Sequence, residues 1–183
     1  MQSYNDLKII LWSILISAGL NPLTAEVKDS STNGFTIQDS VIIAANPMDV
    51  YNSIVEDVGL WWDSAHTFSG NAENLSIDDK AGGCFCEKLE NGGSVRHLEV
   101  VFVEPGKTLR MVGGLGPLQE MAVTGSMTWS LRKMDAGTNV KVTYSVGGYR
   151  PGGLQKIAPL VDKVMSEQLT RLKEYMKKKA IEK

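Results

Sequence analysis

Two histidines and one glutamate are the residues of this chain best suited to acid–base chemistry. His66 lies in a polar stretch, where it can donate a hydrogen bond to a ligand carbonyl or act as a base, or can simply be a loop cap or an exposed ring. His97 lies in a predicted strand, on the face expected for Val95 and Glu99. With Glu87 of the neighbouring predicted strand, His97 forms either a buried acid–base couple or a cross-strand ion pair.

Cys84 and Cys86 are two positions apart and share a face of a predicted strand. In extended chain their Cα atoms are about 6.6 Å apart, near the upper limit for a disulfide, so a bond would need a bulge. We prefer two free buried thiols, followed by a strained or regulatory disulfide and then by metal binding. Together with His66 and His97 the cysteines match no established zinc spacing, so we predict no metal site and no cofactor.

Two further stretches carry aromatic or glycine-rich patterns. Trp61 and Trp62 are adjacent and point in different directions, so each is either a cavity-mouth aromatic or ordinary core. The stretch from Gly113 to Pro117 lacks the G-K-[ST] ending of a phosphate loop and is either a flexible lip that admits a ligand or a plain connection. The chain has no G-x-S-x-G and no H-E-x-x-H, so it lacks the sequence motifs of common hydrolases and metalloproteases.

The composition is that of a globular protein with one core. Of the 183 residues, 43% are apolar and 22% are charged, which excludes disorder, collagen-like repeats and a disulfide-stapled miniprotein. Lys and Arg total 19 against 21 Asp and Glu, a net charge of -2, and no basic block interrupts the middle of the chain. Nucleic-acid binding is therefore not expected.

The N-terminal segment is predicted to be a signal peptide. The run from Ile9 to Leu20 is almost entirely apolar but shorter than the roughly 20 residues of a spanning helix. It follows Lys8 and precedes small residues, which favours cleavage near Ala25 and a periplasmic or secreted protein without stable membrane insertion. An uncleaved anchor and a buried N-terminal helix are the alternatives.

The remaining chain alternates strand and turn patterns and ends in a helix. Alternating apolar residues predict a strand from Phe35 to Ile43, and Asp39 is the single break in its apolar series. Asn46 followed by Pro47 then opens a short helix. Further strands are predicted at 75–77, 84–89, 95–103, 108–112, 125–132 and 139–146.

A long amphipathic helix is predicted at the C-terminus. Its apolar stripe starts at Leu154, and Pro159 should kink the helix or mark a restart near Ile157. Close hairpins joined by glycine-containing turns imply antiparallel pairing. The fold class is therefore α+β, with the terminal helix as the only available cover for a curved antiparallel sheet.

The sequence motifs resemble those of the START-like (SRPBCC) superfamily. The motifs that carry the resemblance are WWDSAHTFSG at 61–70, GGCFCE at 82–87, the Pro105-Gly106 turn, GGLGPLQ at 113–119 and GGY at 147–149. The most similar branch is that of the polyketide cyclase and heat-shock ATPase activator-like proteins, over residues 35–176. This resemblance implies a helix-grip fold, in which the sheet wraps the last helix and a cavity between them binds lipids, sterols, polyketides or other apolar small molecules. A minority of such proteins catalyse cyclisation or hydrolysis in the cavity.

These observations give a domain plan. We expect a signal peptide at 1–25, an N-terminal extension at 26–34, a helix-grip domain with two short helices after its first strand at 35–179, and a tail at 180–183. The expected function is to carry or sequester a small apolar or amphipathic ligand. The alternatives are a cyclase or hydrolase that uses Glu87 with His97 or His66 as acid and base, and a protein-interaction module of the chaperone-activator type. Oligomeric state is not predicted.

The predicted ligand-binding residues combine apolar lining and a few polar groups that orient the ligand. The apolar and aromatic members are Trp62, Phe85, Leu115, Met127, Trp129, Tyr144, Met165 and Leu169. The polar members are His66, Thr67, Glu87, His97 and Tyr149.

Overall fold

The protein forms one eight-stranded antiparallel sheet and three α-helices, as described for residues 26–182 by a computed structural model. The strands are β1 (Glu26–Ser31), β2 (Gly34–Ile43), β3 (Leu75–Ile77), β4 (Cys84–Lys88), β5 (Ser94–Glu104), β6 (Thr108–Gly113), β7 (Ala122–Met134) and β8 (Gly137–Tyr149). Their order in the sheet is β1-β2-β8-β7-β6-β5-β4-β3. The helices are α1 (Pro47–Glu56), α2 (Val58–Trp61) and α3 (Ala158–Ile181). The predicted α+β helix-grip fold is confirmed.

Short 3-10 turns connect several of these elements. They lie at Ser64–His66, Ala72–Asn74, Glu90–Gly92, Gly116–Glu120 and Leu154–Lys156. Within residues 26–182, no helix has both the length and the apolar content needed to cross a lipid bilayer.

The long central strands follow the alternation in their sequence. Buried residues recur at every second position from Phe35 to Ile43 of β2, and β8 repeats this pattern across the register that pairs Ile37 with Tyr144. Such a strand has one face in the core and the other towards solvent. Asp39 occupies an inward position of β2 and is buried among apolar neighbours.

Helix starts agree with the capping signals. The Asn46 side chain accepts a hydrogen bond from the Asp49 amide at 3.0 Å, and Pro47 lies in the first turn of α1. At the C-terminus a 3-10 turn at Leu154–Lys156 precedes α3, which begins at Ala158 with Pro159 in its first turn. The predicted restart near Ile157 is therefore confirmed.

Two elements extend beyond the bounds predicted for the helix-grip domain. The segment predicted as an N-terminal extension contains β1, an added strand that pairs with β2 at one edge of the sheet. α3 continues to Ile181, beyond the predicted start of the tail. The predicted signal peptide at 1–25 lies outside the described residues.

α3 covers the sheet and completes the core. Its buried residues are Ala158, Met165, Gln168, Leu169, Leu172 and Met176. The helix packs most extensively against β2, and it also contacts α2. This cover is tight along the middle and C-terminal part of α3, whereas space remains near its first turns.

Candidate ligand-binding cavity

A cavity of about 410 Å³ lies between the first half of α3 and two loops. One loop joins α2 to β3, and the other joins β6 to β7. It is partly open to solvent. The lining residues are Trp62, Ala65, His66, Thr67, Phe68, Leu75, Phe85, His97, Leu115, Gly116, Pro117, Leu118, Met121, Ile157, Leu160, Val161, Val164 and Met165. The wall is mostly apolar, and His66, Thr67 and His97 supply its polar side chains.

The helical wall comes from one face of α3. The lining residues of this segment recur at intervals of three and four, so they project from the same side of the helix. They are Ile157, Leu160, Val161, Val164 and Met165. Met165 is completely buried at the inner end, whereas Leu160 is 63% exposed. Leu160 therefore marks the mouth of the cavity.

The segment after α2 forms the opposite wall and is fastened to α3. The Asp63 amide donates a hydrogen bond to the buried Gln168 side chain at 2.9 Å, and Arg171 Nε donates to the Trp61 carbonyl at 3.0 Å. These bonds fix Trp62, whose ring packs edge-on against Phe85 with centroids 5.3 Å apart. The aromatic pair forms a rigid side of the cavity.

A β-bulge brings His97 to the inner wall. Phe85 pairs with Leu98 but Cys86 pairs with Arg96, so His97 is an extra residue on β5. His97 and Leu98 are consequently both buried, although a regular strand would point them to opposite faces. The prediction that His97 shares a face with Glu99 is therefore wrong.

The two cysteines form a disulfide within β4, and the prediction of two free thiols is wrong. The Cα atoms of Cys84 and Cys86 are 5.4 Å apart, closer than in a fully extended strand. A pairing irregularity lies beside the disulfide, between Phe85 and Cys86, with the extra residue on β5. Sequence spacing alone did not reveal the disulfide, because two residues at this spacing are too far apart in a regular extended strand.

Glu87 and His97 form a buried hydrogen-bonded pair. His97 Nε2 lies 2.9 Å from Glu87 Oε2, and neither side chain is more than 3% exposed. The carboxylate also accepts hydrogen bonds from the backbone amides of Phe68, at 3.1 Å, and Ser69. Glu87 thus ties the loop after α2 to the sheet. His97 borders the cavity, but Glu87 lies behind it and is not on the cavity wall.

The protonation of this pair follows from its surroundings. Burial alone would raise the pKa of the Glu87 carboxyl, but the hydrogen bonds from Ser69, Phe68 and His97 outweigh burial and lower that pKa. Burial lowers the pKa of the His97 imidazole, and the Glu87 carboxylate offsets this only in part. Near neutral pH the pair is therefore a carboxylate beside a neutral imidazole.

The other two polar residues of the wall lie nearer the mouth. His66 Nε2 is 3.4 Å from Glu167 Oε2, and both side chains are partly exposed. The Thr67 hydroxyl donates to the Ser64 carbonyl at 2.8 Å. His97 is thus the one deeply buried polar side chain among the described residues of the wall.

The structure places part of the predicted binding set on this cavity. The members that line it are Trp62, His66, Thr67, Phe85, His97, Leu115 and Met165. The members that it does not bring to the wall are Glu87, Met127, Trp129, Tyr144, Tyr149 and Leu169. For all thirteen residues, the predicted role in ligand binding stays a prediction.

The excluded residues have other neighbours. The Tyr144 hydroxyl donates to the Gly113 carbonyl at 2.9 Å and accepts from the Leu115 amide, so it fastens the glycine-rich loop to the sheet. Trp129 packs edge-on against Trp61 with centroids 6.0 Å apart. Met127 and Leu169 are fully buried in the core, whereas Tyr149 is 70% exposed at the end of β8.

Several lining residues were not predicted. They are Ala65, Phe68, Leu75, Gly116, Pro117, Leu118, Met121, Ile157, Leu160, Val161 and Val164. The apolar stripe of α3 contained a signal for Ile157 and Val161, and the glycine-rich lip contained one for Gly116 and Pro117. Phe68 and Leu75 offered none, because their positions depend on how the loop after α2 folds back over β4.

Residues 26–182 contain no cluster of three or more His, Cys, Asp or Glu side chains arranged to hold a metal ion.

Comparison with solved structures identifies the fold. Protein MLL2253 from Mesorhizobium loti is 18% identical, with a TM-score of 0.55 over 78% of this chain and 97% of that chain. An uncharacterized protein from Rhizobium leguminosarum is 15% identical, with a TM-score of 0.61 over 82% and 99%. Protein Ms6760 from Mycobacterium smegmatis is 15% identical, with a TM-score of 0.55 over 84% and 96%. Identities this low establish a shared fold and nothing further.

Comparison with protein families gives a wider assignment. No curated protein matches the chain. The family model for polyketide cyclase/dehydrase and lipid transport proteins matches residues 34–177, which comprise nearly all of the sheet and most of α3. The chain therefore belongs to the polyketide cyclase/dehydrase and lipid transport family, within the START-like superfamily.

Proposed function

We propose that this protein carries or sequesters a small apolar or amphipathic molecule in the cavity beside α3. The observation that carries the proposal is the cavity itself, whose volume of about 410 Å³ falls in the size range of small-molecule sites. Well-packed interiors have few voids larger than a water molecule. A space this large, open on one side, is suited to a guest.

The chemistry of the wall supports an apolar guest. None of the described lining residues is Lys, Arg, Asp or Glu. An ionic head group would therefore lose its hydration inside the cavity without gaining a partner of opposite charge. The family description includes lipid transport, which agrees with this chemistry.

The mouth of the cavity supports entry of such a guest. Phe68 is 48% exposed and Leu160 is 63% exposed, and both also line the cavity. Apolar side chains at a rim keep a continuous apolar surface from solvent to interior. An apolar molecule could move along this surface without crossing a charged barrier.

The test is a binding titration with the fluorescent apolar probe N-phenyl-naphthylamine. Val164→Phe places a ring in the cavity and should weaken probe binding about tenfold or more, because the space is filled. Val101→Phe is the matched control, since Val101 is exposed on β5 outside the cavity. Equal probe affinities for the two variants, or no binding to the unmodified protein, would contradict the proposal.

We also propose export as the cellular setting. The apolar run from Ile9 to Leu20 supports it, and the Cys84–Cys86 disulfide is of a kind that persists in oxidising compartments. The intact mass of protein recovered from its host should correspond to removal of a leader ending near Ala25. A full-length mass in the cytosolic fraction would overturn this proposal.

Catalysis on a bound ligand is a second candidate function, favoured by the Glu87–His97 pair. His97 borders the cavity with a carboxylate behind it, an arrangement that can orient a general base for hydrolysis or cyclisation. Burial lowers the pKa of the His97 imidazole, which weakens it as a base, and binding therefore ranks first. Release of naphthol from naphthyl acetate above the buffer rate, lost in His97→Phe, would support catalysis. No release above that rate would oppose it.

A further inference from the structure

The Cys84–Cys86 disulfide lies on the outer face of β4. Along this strand Phe85 and Glu87 are buried, whereas both cysteines are half-buried, so the cysteines share the face that points away from the core. Their cross-strand partners are polar residues that are exposed or half-buried, namely Ser76, Arg96 and Glu99. A thiol in solution therefore does not need to unfold the protein in order to reach this bond.

The fold does not depend on this bond. The disulfide joins residues only two positions apart, so it constrains little of the unfolded chain. β4 is also hydrogen-bonded on both sides, to β3 and to β5, and these ladders hold the strand in the sheet when the bond is open. The folded protein can therefore exist in an oxidised and a reduced form.

The residue between the two cysteines is part of the cavity wall. The Phe85 ring packs against Trp62 and His97 at centroid distances of 5.3 and 5.2 Å, and all three residues line the cavity. The disulfide holds the Cα atoms on either side of Phe85 5.4 Å apart, whereas extended chain places them about 6.6 Å apart. Opening the bond removes this restraint on the backbone that carries the ring.

A second connection runs from the disulfide to the loop after α2. Glu87 follows Cys86 directly, and its carboxylate accepts hydrogen bonds from the backbone amides of Phe68 and Ser69. Phe68 lines the cavity at its mouth. The backbone beside the disulfide thus supports the cavity both through Phe85 and through this loop.

We propose that the Cys84–Cys86 disulfide is a thiol–disulfide exchange site for an external dithiol, and that opening it weakens ligand binding in the adjacent cavity. A thiolate of the dithiol attacks one sulfur, which forms a mixed disulfide and releases the other cysteine as a thiolate. The second thiol of the dithiol then displaces the bound cysteine. Two electrons and two protons thereby pass from the dithiol, which becomes a disulfide, to the two cysteines, which become thiols.

Binding weakens on reduction because the wall gains freedom. A less restrained Phe85 and a less restrained loop lose more conformational entropy when a ligand orders them. This regulation rests on the proposed binding function, whereas the exchange reaction itself does not.

The rate of reduction by dithiothreitol tests the exchange site. The chain has two cysteines, so alkylation followed by intact mass counts the open bonds directly. The rate for the native protein should lie within about tenfold of the rate for the urea-unfolded protein and should stay constant in low urea, because the thiol reaches the bond directly. Reduction that required unfolding would be slower by about 10³-fold or more and would accelerate with each addition of urea. A native rate more than about tenfold slower, or one that rises in low urea, would overturn the exchange site.

Titration of both redox forms with N-phenyl-naphthylamine tests the regulation. The dissociation constant should rise about threefold or more on reduction, while circular dichroism shows an intact fold. Cys84→Ser/Cys86→Ser should match the reduced form with or without dithiothreitol. An unchanged dissociation constant, or an equal effect of dithiothreitol on the double variant, would overturn the regulation. Absence of probe binding by the oxidised protein would instead overturn the proposed binding function, and the reduction rates would still decide the exchange site.

Discussion

Asp39 is an acidic side chain in a position that its neighbours on β2 fill with apolar groups. It is 2% exposed, and neither carboxylate oxygen has a hydrogen-bond partner within the described chain. Burial, with a smaller contribution from nearby Asp162, raises the pKa of Asp39 from 3.8 to about 7. The break in the apolar series of this strand is therefore a site of pH-dependent stability.

The sign of the effect follows from the raised pKa. In the unfolded chain Asp39 ionises near its ordinary pKa, but in the folded protein ionisation is delayed, so the free energy of unfolding falls as pH rises from about 4 to about 7. Asp39→Asn should remove this loss and stabilise the protein by roughly 1 to 4 kcal/mol at about pH 8. The gain should disappear near pH 4.

Urea unfolding of both proteins across this pH range measures the effect. Asp29→Asn, at an exposed position of neighbouring β1, is the matched control for replacing a carboxylate at this edge of the sheet. A difference between Asp39→Asn and the unmodified protein that is the same at every pH would contradict the assignment.

Glu87 contributes stability in the opposite pH direction. Its lowered pKa means that its stabilising hydrogen bonds are fully present above the ordinary value of 4.5 and are lost as pH falls through the lower folded value. Glu87→Gln should destabilise the protein by about 1 to 3 kcal/mol near pH 7, because the charged acceptor for Phe68, Ser69 and His97 is removed.

Hydrogen exchange provides the specific readout for this variant. The amides of Phe68 and Ser69 should exchange faster in Glu87→Gln, whereas Glu90→Gln, at an exposed residue after β4, should leave both rates unchanged. Unaltered exchange at both amides would show that Glu87 does not hold this loop.

At the scale of elements, the disulfide within β4 is a small constraint on a distorted strand. It closes a loop of only three residues between Cys84 and Cys86, so it removes little freedom from the unfolded chain. Reduction should therefore lower the free energy of unfolding by about 1 to 2 kcal/mol and leave the fold intact. Thermal unfolding of the Cys84→Ser/Cys86→Ser variant, beside the oxidised protein, checks this. Global unfolding on reduction would contradict it.

The elements themselves could be predicted because their periodicity is local. The alternation in β2 and the Asn46-Pro47 helix start depend on residues near in sequence, and both were predicted. The strand β1 was not predicted, because its polar sequence EVKDSS has no alternating apolar face. Its position comes from pairing with β2 at an open edge, which sequence periodicity does not encode.

The bulge at His97 had no local signal. Its existence depends on how β5 and β4 align, and this alignment decides the direction of the imidazole. The pairing of Glu87 with His97 could still be proposed from the sequence. Neighbouring strands bring these two residues together whether or not β5 contains the bulge. The sequence could not predict which of these two residues reaches the cavity.

At the scale of the whole molecule, the location of the cavity depends on where α3 stops sealing the sheet. Leu169 and Trp129 satisfy every sequence criterion for an inward apolar residue, yet both are buried and do not line this cavity. Met165, one turn earlier on α3 than Leu169, does border it. Sequence pattern identifies the inner faces, whereas the gap between them depends on the relative placement of helix, loops and sheet.

NMR of methyl-labelled methionine during titration with N-phenyl-naphthylamine tests the central claim most directly, since it reports where a guest binds. The chain has eight methionines; Met121 and Met165 line the cavity, whereas Met48 and Met134 are exposed elsewhere. The methyl signals of Met121 and Met165 should shift with saturation while those of Met48 and Met134 stay in place. Shifts confined to Met48 and Met134, or no saturable shift at any methionine, would contradict a guest-binding cavity beside α3.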